Sequence, residues 1–130
     1  MRSKLLILPV ILILASGCAG TREPRSGRID ENPSYQTGVA SYYASKFEGR
    51  RTASGERYHG DELTAAHRTL PFGTRVRVTN LANDESVVVT VNDRGPVRKD
   101  RVIDLSRSAA RKLGFVADGT TRVAIELVDR

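Results

Sequence analysis

Between Arg75 and Val91 the apolar residues return at every second position, and this spacing constrains the chain more than any other feature in it. Val76 and Val78 alternate with Arg75, Arg77 and Thr79, and Ser86 to Val91 is a run rich in β-branched side chains. A period of two places alternate side chains on opposite faces of an extended strand, whereas a helix needs 3.6. The polar stretch Asn80 to Glu85 separates the two runs, and Asn92-Asp93-Arg94-Gly95-Pro96 ends the second, so the segment reads as a hairpin leading into a loop. Further strands are predicted at Val39 to Tyr43, around Leu63 to Ala65, at Arg101 to Leu105, and at Arg122 to Val128, where Val123, Ile125 and Leu127 share one face. Ser106 to Leu113 breaks the pattern. Ser106 suits an N-cap, Ala109, Ala110 and Leu113 form an apolar stripe, Arg111 and Lys112 suit the negative helix end, and Gly114 fits the position after it. About six strands in so short a chain need closure to remove their exposed edges, so the fold class is all-β, a small barrel with one or two short helices.

The N-terminus carries a different signal. Arg2 and Lys4 precede an apolar run from Leu5 to Ala15, broken only by Pro9, and Ala15-Ser16-Gly17 lead to Cys18, the only cysteine. That run falls well short of the roughly 20 residues a membrane-spanning helix needs. Leu14-Ala15-Ser16-Gly17-Cys18 resembles a bacterial lipobox, in which the cysteine is acylated and becomes the mature N-terminus; an ordinary secretory cleavage site with a stray cysteine is the plainer reading. Ala19 after it resembles outer-membrane sorting, so the expected place is the cell envelope, on the periplasmic face of the outer membrane. The chain then divides into a signal peptide (1–17), a lipidated N-terminus and tether (18–36) and a folded domain (37–130). The tether is polar and punctuated by Gly20, Pro24, Gly27 and Pro33.

Charge has to be weighed against that destination. A formal net charge of +6 would ordinarily suggest nucleic acid. Removing residues 1–17 leaves 19 Lys plus Arg against 15 Asp plus Glu, a net +4, and an exported protein meets peptidoglycan carboxylates and anionic lipid head groups instead. No nucleic-acid partner is expected; the membrane is reached through the lipid anchor. One Cys and two His supply neither a disulfide framework nor four zinc ligands, so no metal or other cofactor is expected.

Several segments resemble the rare lipoprotein A family. They are Gly38-Val39-Ala40-Ser41-Tyr42-Tyr43, Arg51-Thr52-Ala53-Ser54-Gly55-Glu56, Leu63 to Thr74, Val76 to Asn80, Val91 to Pro96 and Arg101 to Ser106. The resemblance spans nearly the whole folded part, in order and with compatible spacing. It implies a six-stranded double-psi β-barrel and a lytic transglycosylase acting on peptidoglycan glycan strands, in some members only on strands stripped of stem peptides. Expansins share the barrel, so fold alone does not fix the chemistry. Many full-length members carry a C-terminal glycan-binding module that brings them to the division septum, and this sequence stops right after the barrel, which leaves septal recruitment open.

Cleaving the β-1,4 bond between muramic acid and glucosamine needs an acid for the leaving oxygen and stabilisation of an oxocarbenium-like centre. One carboxyl can serve twice: the muramoyl 6-hydroxyl attacks in place of water, the same carboxylate takes its proton, and a 1,6-anhydro end forms. Glu56 in a Ser-Gly-Glu loop, Asp93 at the end of an apolar strand and Asp104 inside Val-Ile-Asp-Leu are the candidates. A charge interrupting an apolar strand is costly unless it faces a cleft or a partner. The resemblance points to the Asp93 position, the wider barrel superfamily to one like Asp104, and the proton donor is left open between them. Each carboxylate also has a plain structural alternative: Asp93 as a turn residue, Glu56 as a solvated charge, Asp104 as the ion-pair partner of Arg101 or Arg94. The candidate substrate contacts are His67 at a family-typical position, Arg94, His59 where the family often has Asp, and Tyr42. Tyr42 and Tyr43 alternate across a strand, so one faces the core and the other the cleft. The alternatives to an enzyme are a non-catalytic, expansin-like glycan-binding lipoprotein and a structural envelope lipoprotein that has lost catalysis.

Overall fold

In the computed structural model, residues 35–129 are described; the signal peptide, Cys18 and nearly all of the tether lie outside them. Six strands close into a barrel: β1 (Gln36–Tyr42), β2 (Thr64–Ala66), β3 (Arg75–Asn80), β4 (Ser86–Asp93), β5 (Ile103–Leu105) and β6 (Thr121–Asp129). A 3-10 turn (Ser45–Phe47) follows β1, and one α-helix, α1 (Arg107–Leu113), lies between β5 and β6. The order around the barrel is β1-β5-β2-β4-β3-β6, with β6 returning to β1. The predicted hairpin is β3 with β4, in antiparallel register from Arg75 opposite Thr90 to Thr79 opposite Ser86. Two pairs, β1 with β5 and β2 with β4, are parallel, so the chain crosses the barrel between strands distant in sequence.

Alternation fills the interior. Val76 and Val78 of β3, Val89 and Val91 of β4, Ile103 and Leu105 of β5, and Val123 and Ile125 of β6 are all essentially without solvent contact. Burying one such side chain stabilises by about 1.5–3 kcal/mol. One end of this core meets Ala109, Ala110 and Leu113 of α1 and the ring of Phe115. The helix is bounded as its sequence dictates: the Ser106 side chain accepts from the Ala109 N–H, and Gly114 takes a left-handed conformation at φ +76°. Gly38 serves a close approach, because a Cβ there would stand 2.5 Å from a methyl of Val102.

The strand ends differ from the sequence expectation by a few residues. β1 begins at Gln36, not Val39, because its backbone pairs with β6 from Ile125 onward whatever the polarity of its side chains. β5 keeps only Ile103–Leu105; Arg101 N–H turns to the Arg98 carbonyl instead of joining the ladder.

Candidate active site

Ala66 of β2 is flanked by both strand carboxylates. It pairs with Asp93 of β4 on one side and with Asp104 of β5 on the other, and Asp104 in turn pairs with Ser41 of β1. Residues directly opposite across strands share a face, so Ser41, Asp104, Ala66 and Asp93 form a row over four neighbouring strands. Their neighbours Ala40, Ile103, Leu105, Ala65 and Val91 form the buried face behind them. The backbones carrying the two aspartates are two strand spacings apart, about 10 Å.

A bulge puts Asp93 in that row. Ala65 opposes Val91, but Ala66 opposes Asp93, leaving Asn92 as the extra residue. Without the shift, Asp93 would continue the phase of Val87, Val89 and Val91 and point into the core. Bulges re-aim side chains in this way.

Asp93 is held by three donors. The N–H groups of Ala53 and Arg94 each donate to Oδ1 at 2.8 Å, and the Tyr43 hydroxyl donates to Oδ2 at 2.6 Å. Burial, and next the bond to Asp93, raises the Tyr43 hydroxyl far above the ordinary tyrosine range, so it stays a donor. Ala53 belongs to a loop closed by a bridge between Arg51 and Arg57 and turned at Gly55, whose φ of +94° favours glycine. Glu56 sits on the same loop, exposed, with the Ser54 hydroxyl 3.4 Å from Oε1. The loop therefore carries the third candidate carboxylate on a segment that also binds Asp93.

Asp104 has different company. The Ser41 hydroxyl donates to its Oδ1 in a short hydrogen bond, and Arg101 Nε stands 3.8 Å from the same oxygen. Together with Tyr42, Tyr43, Phe47 and Val97 these residues line a groove of about 340 Å³. The ion-pair alternative for Asp104 is thus present with Arg101 and absent with Arg94, beside an open groove.

The remaining candidates are placed less uniformly. His67 is buried; Nδ1 accepts from the N–H groups of Thr69 and Leu70, and Nε2 faces Gln36 Oε1 at 2.8 Å. With Nδ1 an acceptor, the ring is the neutral Nε2–H tautomer, and burial, then Arg68 and Arg94, lowers its pKa. Both nitrogens are thus spent inside the protein, so direct sugar contact by His67 does not fit this geometry. Its backbone N–H donates to the Asp93 carbonyl, which gives it a place in holding the site. Arg94 is exposed but tied to the scaffold: Nη1 donates to the carbonyls of Leu70 and His67, and the guanidinium stacks on Phe72 at 4.1 Å. Of the tyrosine pair, Tyr42 is the packed one, its hydroxyl on the Val116 carbonyl and its ring edge-on to Phe115; Tyr43 reaches the carboxylate. Both tyrosines line the groove beside Asp104, each with its hydroxyl bonded within the protein. His59 pairs with Glu48 at 3.6 Å in a separate pocket with Gly60, Asp61, Glu62 and Arg107.

Sequence reasoning missed Ser41 and Tyr43 as partners of the two aspartates. Their spacing of two along β1 and the residue after it was the available signal, since it puts both on one face. Among the described residues no group of three or more His, Cys, Asp or Glu side chains is placed to hold a metal ion.

A family profile described as "Lytic transglycolase" matches residues 35–125. A probable endolytic peptidoglycan transglycosylase RlpA from Synechocystis sp. is 60% identical over 91 residues, covering 70% of this chain and 28% of that protein. The endolytic peptidoglycan transglycosylase RlpA of Neisseria meningitidis is 56% identical over 93 residues, covering 72% of this chain and 39% of its own. The chain thus spans well under half the length of these curated relatives. Among solved structures, the Clavibacter michiganensis expansin superposes with a TM-score of 0.57 at 24% identity, over 71% of this chain and 49% of its own, which is a likeness of fold.

Proposed function

The chain belongs to the RlpA-like double-psi β-barrel family, and from that premise we propose that it is a lytic transglycosylase cleaving the β-1,4 bond between muramic acid and glucosamine in peptidoglycan glycan strands. The observation that carries this reading is the row of Asp104, Ala66 and Asp93: two carboxylates on one face, separated by the smallest side chain that keeps the strand chiral. A carboxyl on this face protonates the glycosidic oxygen as the bond breaks. The muramoyl 6-hydroxyl then adds to the anomeric carbon and gives its proton to the same carboxylate, so no water is consumed and the product ends in a 1,6-anhydro ring. The second aspartate of the pair, ionised, faces the developing positive charge. Glu56, on the loop that binds Asp93, is placed to contact sugar or to add to that field. Ser41 and Arg101 hold Asp104 beside the groove in which the strand lies.

Delivery is proposed on separate grounds. Acylation at Cys18 anchors the protein in the envelope, at the outer membrane, because its only cysteine closes the apolar run. Cys18→Ala should release the protein from the membrane fraction, and unchanged fractionation removes the anchor.

The test of the chemistry is a digest of purified glycan strands, with and without stem peptides, read by mass spectrometry for 1,6-anhydro ends. Anhydro ends from the wild-type chain support the reading. Folded protein that binds both preparations and forms none moves the assignment to an expansin-like glycan-binding lipoprotein.

A further inference from the structure

Tyr43 lies where the two aspartate environments meet. Its backbone N–H donates to the Leu105 carbonyl, one residue beyond Asp104, so it continues the face that carries Ser41. Tyr43 lines the groove beside Asp104, and its hydroxyl donates to Asp93 Oδ2 at 2.6 Å. The ring is fixed from behind. Tyr58, itself buried, meets it edge-on with centroids 4.3 Å apart, and the Tyr58 hydroxyl accepts from the Arg107 N–H at the start of α1. Phe47 closes the other side, with centroids 5.9 Å apart. A half-buried phenol held by two neighbouring rings has little rotational freedom left to lose when it binds a carboxylate.

We propose that Tyr43 is the positioning residue of Asp93, fixing the orientation of its carboxylate through the bond to Oδ2. The proposal rests on the transglycosylase reading above, since it gives Asp93 a part in that reaction. Oδ1 is already set by two backbone N–H groups, so Tyr43 supplies the only side-chain donor on this carboxylate among the described residues. Backbone donors cannot be exchanged by mutation, and Tyr43 is therefore where the carboxylate is adjustable. Groups facing Tyr43 include Asp93, Asp104 and Tyr58, each of which opposes its ionisation, so it remains a donor throughout the working pH range.

Tyr43→Phe in the full chain removes the hydroxyl and keeps the ring against Tyr58 and Phe47. Expected is a fall in kcat of about tenfold with KM within about twofold, because one charge-assisted hydrogen bond is lost and the groove wall is not. The limb of the pH–rate profile that Asp93→Asn abolishes should move to higher pH, since a donor to the carboxylate is lost. Carbon NMR of the Asp93 carboxyl should show the same upward displacement without any turnover. Replacing Tyr43 by 3-fluorotyrosine, a stronger donor of nearly the same size, should move both in the opposite direction, and this second variant decides the matter if Tyr43→Phe fails to fold. An Asp93 carboxyl that titrates as in the wild type overturns the proposal, as does a loss confined to KM, which would make Tyr43 a sugar platform. If the wild-type chain forms no anhydro ends while the NMR displacement is present, the transglycosylase reading alone fails and Tyr43 still orients Asp93; an absent displacement overturns the positioning role whatever the turnover.

Discussion

Asp93 and Asp104 pair with the same residue, Ala66, and live in opposite conditions. Asp93 is fastened through both oxygens to two backbone N–H groups and a half-buried phenol, at the end of a strand bent by a bulge. Asp104 is held through one oxygen, by a serine hydroxyl and a guanidinium at 3.8 Å, and borders the groove. Both are half-buried, but one is fastened by three donors and the other by a single hydroxyl with a guanidinium nearby. The difference teaches that residue type and strand position, which the two share, do not set a carboxylate's role; the number and kind of its donors do.

The sharpest way to break the comparison is Asp93→Asn beside Asp104→Asn. At least one should reduce formation of anhydro ends by about 10²-fold or more, since each amide keeps the shape and loses the proton. The two should differ in stability. An amide at 93 leaves one of three donors without an acceptor, at a cost of about 1–3 kcal/mol, and thermal melting should show a larger fall than at 104. Equal melting with equal activity loss would erase the distinction between the two carboxylates.

Ser41→Ala touches only the Asp104 side. A loss of about tenfold in rate is expected from removing a hydrogen bond to a charged group, with Asp93 unaffected by NMR. A milder effect, within about tenfold, is expected for Glu56→Gln, because Glu56 is exposed and its field is weakened by solvent. A loss as large as that of the aspartates would place Glu56 against the developing charge.

The smallest effect concerns pH and the Asp93 side. His67 has a folded-state pKa below its ordinary value near 6.5, so the unfolded chain takes up this proton first as pH falls. Its neutral form contributes fully above about pH 6.5, and stability should decline as pH drops through and below that value. Melting curves from pH 7.5 to 5 should show this decline, and His67→Gln should flatten it. An unchanged slope would mean that other groups carry the acid sensitivity.

Much of the barrel was legible because burial and alternation are local signals: Val76, Val78, Val89, Val91, Val123 and Ile125 announce their face by spacing alone. Ser106 and Gly114 bound a helix through bonds made within a few residues, so they too were readable. The same locality explains the misses. Gln36 is polar and reads as tether, yet its backbone pairs with Ile125 and its side chain meets His67. Tyr42 and Tyr43 are chemically alike in sequence, and only the positions of Val116 and Asp93 distinguish them.

The sequence by itself determined the strands, the helix and its caps, the candidate carboxylates and, through a family resemblance, the closed six-stranded barrel. Only the tertiary structure decided which residues flank Ala66, that a bulge at Asn92 turns Asp93 out of the core, and that Tyr43 is its partner. The physical reason is range. Side-chain periodicity follows from the geometry of one strand, whereas register, bulges and donor sets arise between segments some tens of residues apart, where pairing and packing are settled jointly and no local pattern records the outcome.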